Sequence, residues 1–368
     1  VDTVKTTSTK ASTDRTLDAL SGCLLGTAVG DSVGLPAEGM RPDRIKKLYH
    51  GHWRHRFVFG RGMLSDDTEH AFFTAKALLD YPDDVRGFER SLAKSLKLWF
   101  LSLPAGIGLA TLRACIKLCL GFPPSGSGVR SAGNGAAMRS AIIGAYFSDN
   151  EDARVSYVRA STMMTHTDSR ALTGALAVAN IAALAARHDS RALPTIKDIA
   201  AALEKAGTGD KEWLRLTAEM LKANEKGLSV AEFAAKVTDI EKGVGGYVYS
   251  TVPIAIYSWL RHYTDFRMAI EATLSLGGDT DTVGAITGAL SGISAGEKGL
   301  PREWVSGIAD WPLSVNLLRK TASCLAAQKT GEVAPDKVFY FYPGVIIRNP
   351  FFMLTVLIHG LRRLLPPY

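Results

Sequence analysis

The sequence predicts an all-α protein, on two observations. Stretches such as Ala171 to Ala186 hold strong helix formers with no turn residue inside. Alternating β-branched runs are few, and no repeat period points to a solenoid or a propeller. With 368 residues and 46% hydrophobic content, the chain can fill a substantial core as one large domain or two smaller ones.

In chain order, residues 1–14 form a Lys-, Ser- and Thr-rich opening, read as a trimmed or flexible leader. Gly26-Thr27-Ala28-Val29-Gly30-Asp31-Ser32-Val33-Gly34 follows, with small residues at helical spacing that allow close helix packing. Pro36 ends that helix and leaves Glu38 at its end or in a loop. The segment from Arg41 to Arg61 sets seven Arg and Lys and three His against Asp43 alone. It reads as solvated surface, or as the border of a cleft that attracts anions, because it lies between Glu38 and Asp66. The net charge of +7 permits nucleic-acid contact, but no nucleic-acid-binding motif accompanies it.

Two acidic clusters carry the most information. Ser65-Asp66-Asp67-Thr68 and Gly278-Asp279-Thr280-Asp281-Thr282 each gather hard oxygen ligands just before a helix-like run. Carboxylates at helix N-termini meet free N–H groups and a favourable dipole. For the first cluster, Asp66-x-x-Glu69 also reads as a capping box with no metal present. The second is richer than a cap requires, and its Gly-Gly lets the backbone approach closely. If Glu38 joins Asp66, Asp67, Asp279 and Asp281, five carboxylates converge. Two unit charges ~4 Å apart repel by about 4 kcal/mol at an effective dielectric of 20, so either protons or cations must compensate. The all-oxygen set favours magnesium or manganese over zinc, as two divalent cations.

Further along, Gly126 to Gly135 is a Gly-rich loop leading into a helix-like run from Ala136 to Ile143, able to present N–H groups to a pyrophosphate. It lacks the Lys-Ser/Thr of a Walker loop. His166 precedes Thr167-Asp168, a helix N-cap, and Tyr247 is an aromatic able to stack on a ring or to fill the core. Cys23, Cys115, Cys119 and Cys324 have no metal-type spacing. No secretory signal and no apolar span of about 20 residues is read, so a soluble cytoplasmic protein is expected. The main domain is taken as residues 15–328, followed by an apolar extension over 329–368. Its last helix is expected to dock on the main domain or a second subunit, ahead of the interfacial membrane contact that Arg362 and Arg363 would suit.

These blocks, in this order, resemble the ADP-ribosylglycohydrolase family: Gly30-Asp31-x-x-Gly34 with Glu38, Ser65 to Glu69, Gly133 to Arg139, Thr165-His166, and Gly277 to Thr282. The resemblance covers about residues 15 to 315, and Ser65 stands where many relatives have Thr. It implies a compact, multi-helix orthogonal bundle with a two-metal cleft, cleaving ADP-ribose from a modified acceptor, most simply a protein side chain. It implies metal ligation by Ser65, Asp66, Asp67, Asp279, Asp281 and Thr282, and substrate binding by Gly133, Asn134, Gly135 and His166, with Tyr247 as a candidate stacking residue. Glu38 or Asp67 would be the catalytic base, and ADP-ribose the product. A two-metal nucleotide phosphohydrolase, a non-catalytic ADP-ribose binding module and a structural relative remain as alternatives at this point.

Overall fold

The computed structural model describes residues 2–188, 192–334 and 337–364. Among them, eighteen α-helices and five short 3-10 turns supply the regular structure, and extended pairing is limited to five isolated bridges. Eight helices set the core and the cleft: α1 (Asp2–Gly34), α2 (Asp66–Asp80), α3 (Val85–Leu101), α4 (Ser169–Arg187), α5 (Val248–Arg261), α6 (Thr280–Ala295), α7 (Val315–Thr330) and α8 (Tyr342–Arg362). Short polar caps start many of them: the side chains of Ser65, Asp84, Asp168 and Ser314 each accept a backbone N–H from the first turn.

At the centre, α1 and α6 run antiparallel along a glycine seam. A Cβ added at Gly22, Gly26 or Gly30 would stand 1.9, 2.1 or 1.9 Å from the carbonyl oxygens of Gly292, Gly288 and Gly284. Only glycine lets two backbones meet this closely. At the end of the seam, the Thr280 hydroxyl donates to the Gly34 carbonyl at 2.8 Å, so the start of α6 is pinned to the end of α1. The small-residue spacing seen in the sequence is therefore the device that registers the second acidic segment, at the start of α6, against the end of α1.

Around this pair the core is closed by large side chains whose polar ends are satisfied. Trp99, Trp213 and Trp259 are buried, and their indole N–H groups donate to Glu69, the Leu203 carbonyl and Ser294 at 2.8, 2.8 and 2.9 Å.

α1 ends at Gly34 and a 3-10 turn, Leu35–Ala37, carries the chain to Glu38, as Pro36 requires. The flexible leader expected over 1–14 falls on Val1, outside the described residues, and on the first turns of α1, whose backbone is helical. Cys115 is buried but Cys119, at the end of the same helix, is exposed, so the two do not share an environment.

Two helices, α4 and α8, are long and apolar enough to cross a membrane, where no such span was expected. α4 is mostly buried, as a core helix should be. α8 has an unusual polarity. Its inward face carries Arg348, Asn349 and Thr355 beside Val345 and Phe352, whereas Ile347, Phe351, Leu354, Ile358 and Leu361 face outward. Arg348 forks onto Asp310, with Nε to Oδ1 at 3.0 Å and a terminal nitrogen to Oδ2 at 2.6 Å. Asn349 donates to the Ser102 carbonyl at 2.8 Å. These buried polar contacts hold the helix against the domain.

Candidate active site

α2 begins with Ser65 as its cap, the hydroxyl accepting from the Asp67 N–H at 3.2 Å. The Asp66–Glu69 capping box does not form. Glu69 turns into the core, where its Oε2 accepts from Trp99 at 2.8 Å and Arg348 stands 4.0 Å away. Burial pushes its carboxyl up to about 7, against the pull of Arg348 and Trp99. The first turn is braced from beneath by Asp31 of α1, which accepts the N–H groups of Ser65 and Thr68 at 2.9 and 3.3 Å and the Thr68 hydroxyl. Burial raises the Asp31 carboxyl to about 6, although these hydrogen bonds oppose it.

The second acidic segment enters α6 through Gly277 and Gly278, at φ of 68° and 83°, the left-handed region that glycine tolerates. Their backbones pair with Met40 and Val244, with Gly278 N to Met40 O at 2.8 Å and Val244 N to Gly277 O at 3.0 Å. Asp279 occupies the cap position but caps nothing; its Oδ2 accepts from Asn134 Nδ2 at 2.6 Å, and Asn134 also donates to Thr251 at 3.1 Å. The two acidic segments then touch. Thr282 Oγ1 donates to Asp67 Oδ2 at 3.1 Å, and Ser65 Oγ reaches the same oxygen at 3.2 Å.

Crowding shows in the proton affinities. Asp66, Asp67 and Asp281 have carboxyls pushed well above the usual range, first by burial and then by Asp31, Asp66 and Glu38 respectively. Glu38 is also raised, by burial and by Asp279, with Arg363 opposing. Asp67 Oδ1 is buried without a hydrogen-bond partner. The carboxylates share one space, yet among the described residues no three His, Cys, Asp or Glu side chains close into a ligand cluster.

A cavity of about 350 Å³ opens from this acidic floor, with Gly133, Asn134, Gly135, Thr111 and His166 in its walls and Glu38, Asp66, Asp279, Asp281 and Thr282 beside them. The Gly-rich loop runs into a 3-10 turn, Asn134–Arg139, before the helix Ala141–Tyr146, where a continuous helix from Ala136 was expected. Arg139 explains the difference. Fully buried, it reaches back to the Gly135 carbonyl and donates to the Ser161 carbonyl and to Thr165 Oγ1, each at 2.7 Å. Thr165 Oγ1 lies 2.8 Å from His166 Nδ1, whereas its other acceptor, the Thr162 carbonyl, is 3.5 Å away. The contact engages Nδ1 and leaves Nε2 as the nitrogen turned elsewhere. That nitrogen lies 3.3 Å from where a Cβ on Gly133 would stand, so it faces the loop. Burial and then Arg139 push the imidazole down to about 3, leaving the His166 ring neutral.

Tyr247 is not brought into this cavity. It is partly exposed, its hydroxyl donating to Glu212 at 3.1 Å, with the Arg170 guanidinium 5.7 Å from its ring centre. Its neighbour Gly246 lines the cavity instead, its carbonyl accepting from Asn134 N at 3.0 Å. Of the basic segment, Lys47, Arg54, Arg56 and Arg61 border a separate open groove of about 1550 Å³ with Arg267 and Arg362. Residues given no role by sequence reasoning also enter the site. Asp31 and Arg139 brace it from below, and α8 reaches its rim, where His359 Nε2 donates to the Pro36 carbonyl at 2.9 Å and Arg363 to the Glu38 carbonyl at 2.7 Å.

The ADP-ribosylglycohydrolase family model matches residues 12–334. An uncharacterised protein of Archaeoglobus fulgidus is 32% identical over 78% of this chain and 90% of its own. ADP-ribosylhydrolase ARH3 of Gallus gallus is 27% identical over 77% of this chain and 87% of its own, and that of Homo sapiens 25% over 79% and 89%. A solved ADP-ribosylglycohydrolase-related protein complex shares the fold, with a TM-score of 0.62 at 24% identity over 86% of this chain and 99% of the other. The glycine seam, the joined acidic segments and the loop cavity are thus those of a chain that belongs to the ADP-ribosylglycohydrolase family, whose members hydrolyse ADP-ribosyl linkages.

Proposed function

We propose that this protein is a divalent-metal-dependent hydrolase that removes ADP-ribose from a modified protein side chain. One observation carries the reading: the Thr282 to Asp67 hydrogen bond of 3.1 Å, which closes two acidic segments over 200 residues apart onto one cavity floor. The donor set fits magnesium or manganese, since Ser65, Asp66, Asp67, Asp279, Asp281 and Thr282 offer only hard oxygens. The unpartnered Asp67 Oδ1 and the raised Asp66, Asp67 and Asp281 carboxyls are the marks of a cluster short of positive charge. Bound cations would supply that charge and grip the hydroxyls of the distal ribose.

The chain's own residues divide the remaining work. Asn134 is fixed by Asp279 and Thr251 and, with Gly133 and Gly135, lines the part of the cavity where the pyrophosphate would lie. His166 turns Nε2 of its neutral ring towards a phosphate or ribose oxygen. Glu38 sits at the rim, open to solvent on one side and lining the cavity on the other, whereas Asp67 is buried and already accepts two hydroxyls. Glu38 therefore takes the role of orienting and deprotonating the attacking water, and Asp67 that of a ligand. Hydrolysis breaks the bond from the anomeric carbon to the acceptor heteroatom and joins that carbon to the water oxygen. One water hydrogen stays on the new hydroxyl and the other ends on the departing acceptor.

The test is release of ADP-ribose from ADP-ribosylated peptides. Activity should disappear with a chelator and return with magnesium or manganese but not zinc. Asp281→Asn should lower turnover by about 100-fold or more while the fold persists, because Asn keeps the shape and removes the charge. Undiminished hydrolysis in metal-free buffer, or near-normal turnover by Asp281→Asn, would remove this reading.

A further inference from the structure

A second, smaller cavity of 110 Å³ meets the acidic floor, and no residue of the Gly-rich loop lines it. Glu38, Asp66, Gly106 and Asp281 line both cavities, so the two join at the carboxylates. The outer wall of the small one belongs to α8: Phe352, Val356, His359, Gly360 and Arg363 contribute, at spacings of four, three, one and three that put them on one helix face. Leu35, Phe57 and Ala105 pack with Phe352 to make its other side apolar. α8 lies wholly outside residues 12–334, the part matched by the family model.

We propose that α8 forms the leaving-group subsite of this enzyme and selects an acceptor that ends in a single compact side chain. The inference rests on the functional reading above, which seats ADP-ribose on the Gly133–Gly135 side. With the sugar held over the carboxylates, the bond to be broken points away from that loop, into the space that α8 walls. At 110 Å³ against 350 Å³ for the main cavity, it is the tighter of the two spaces. A pocket this much smaller suits the end of one amino-acid side chain better than a bicyclic nucleobase. The apolar wall receives the aliphatic stem of such a side chain, while Glu38 and Asp66 face its heteroatom.

The wall is fixed in place. Arg348 anchors α8 through Asp310, and at the other end His359 and Arg363 both donate to the Pro36 carbonyl, Arg363 also reaching the Glu38 carbonyl at 2.7 Å. The helix and the Glu38 loop therefore hold one geometry together.

Val356, half-buried in the wall, is the position to change, since it holds none of these hydrogen bonds. Val356→Trp fills the cavity. It should lower kcat/KM on an ADP-ribosylated peptide by about tenfold or more and leave ADP-ribose Kd, read by calorimetry, within about twofold. Val356→Ala enlarges the cavity and should raise kcat/KM for an aryl conjugate of ADP-ribose relative to the peptide by about threefold or more. The melting temperature of each variant is read alongside, and the Ala variant stands if the Trp variant does not fold. Unchanged peptide hydrolysis in folded Val356→Trp, or an equal loss of ADP-ribose affinity, would overturn the subsite while leaving the enzyme's activity intact. A wild-type protein inactive on every conjugate would instead remove the functional reading, and the subsite with it.

Discussion

Replacing Arg348 by Met should destabilise the protein by roughly 4 kcal/mol at neutral pH, the middle of the range for breaking a buried ion pair. The size follows from what is left behind. Arg348 is 7% exposed and forks onto Asp310 through contacts of 3.0 and 2.6 Å, with Glu69 4.0 Å away. Without the guanidinium, Asp310 keeps only the N–H groups of Leu64 and Trp311, at 2.8 and 2.7 Å, and Glu69 keeps only Trp99. Those surviving donors keep the loss from exceeding the range, while the Leu64 carbonyl, also stripped of its partner, keeps it from falling below. At an unfolding entropy of about 2.1 cal/mol/K per residue, 4 kcal/mol in a chain of this length corresponds to a fall of about 5 °C in Tm. Calorimetry of Arg348→Met and of the double variant Arg348→Met, Asp310→Asn separates charge from packing. The double variant should regain roughly half of the loss, because an amide is far less costly to bury unpaired than a carboxylate. A single variant that melts within about 1 °C of wild type, or a double variant no better than the single, would refute the argument.

Two further outcomes follow from other parts of the fold. Gly288→Ala places a Cβ 2.1 Å from the Gly26 carbonyl and should cost at least about 1–3 kcal/mol in chemical denaturation, whereas Gly360→Ala, with nothing within 4 Å, should gain about 0.5–1 kcal/mol; equal effects would show that the α1–α6 seam is not closely packed. The metal-free protein should lose stability as pH rises from about 4 to 7, because burial raises Asp31 to about 6 and Glu69 to about 7, so the native state holds protons that the unfolded chain has given up. The contribution is full below the ordinary carboxylate range and fades through those raised values, on the order of 3 kcal/mol for each group. Denaturant titrations at several pH values that rise towards neutrality would contradict it.

The parts of the site legible in the sequence are those whose chemistry is local. Ser65 to Asp67 and Asp279 to Thr282 could be read as two halves of one centre because each packs its oxygens into a few residues ahead of a helix, and the Gly26, Gly30 and Gly34 spacing announced the close packing that sets the second against α1. Asp31 was visible within its motif, but its role was not, since it depends on α2 arriving above it. The same holds for Arg139, which turns an expected helix start into a 3-10 turn only because Ser161 and Thr165 lie within its reach. Tyr247 misled for the converse reason: an aromatic beside Gly246 is well placed in sequence, but Glu212 and Arg170 hold it outside the cavity. Arg348 and Asn349 were hidden by their setting. In an apolar tail, periodicity points the apolar face inward, and here buried polar partners at Glu69, Ser102 and Asp310 reverse it.

The convergence of two helix N-termini on one carboxylate cluster can be weighed by charge. α2 and α6 each begin at the cluster, at Asp66 and Thr280, and Thr282 and Asp67 touch across the gap at 3.1 Å. Each terminus presents roughly half a positive charge, so together they offset about one of the five carboxylates Glu38, Asp66, Asp67, Asp279 and Asp281. Arg363 donates to backbone carbonyls at the rim and pulls on Glu38 alone among the five. About four units of negative charge are left, which is why the buried members of the set hold their protons so tightly, and which is also the charge of two divalent cations. The seam of glycines explains why the chain can keep such a cluster at all. Backbone packing along α1 and α6 supplies rigidity that does not depend on the carboxylates, so the fold tolerates a centre whose own electrostatics oppose it.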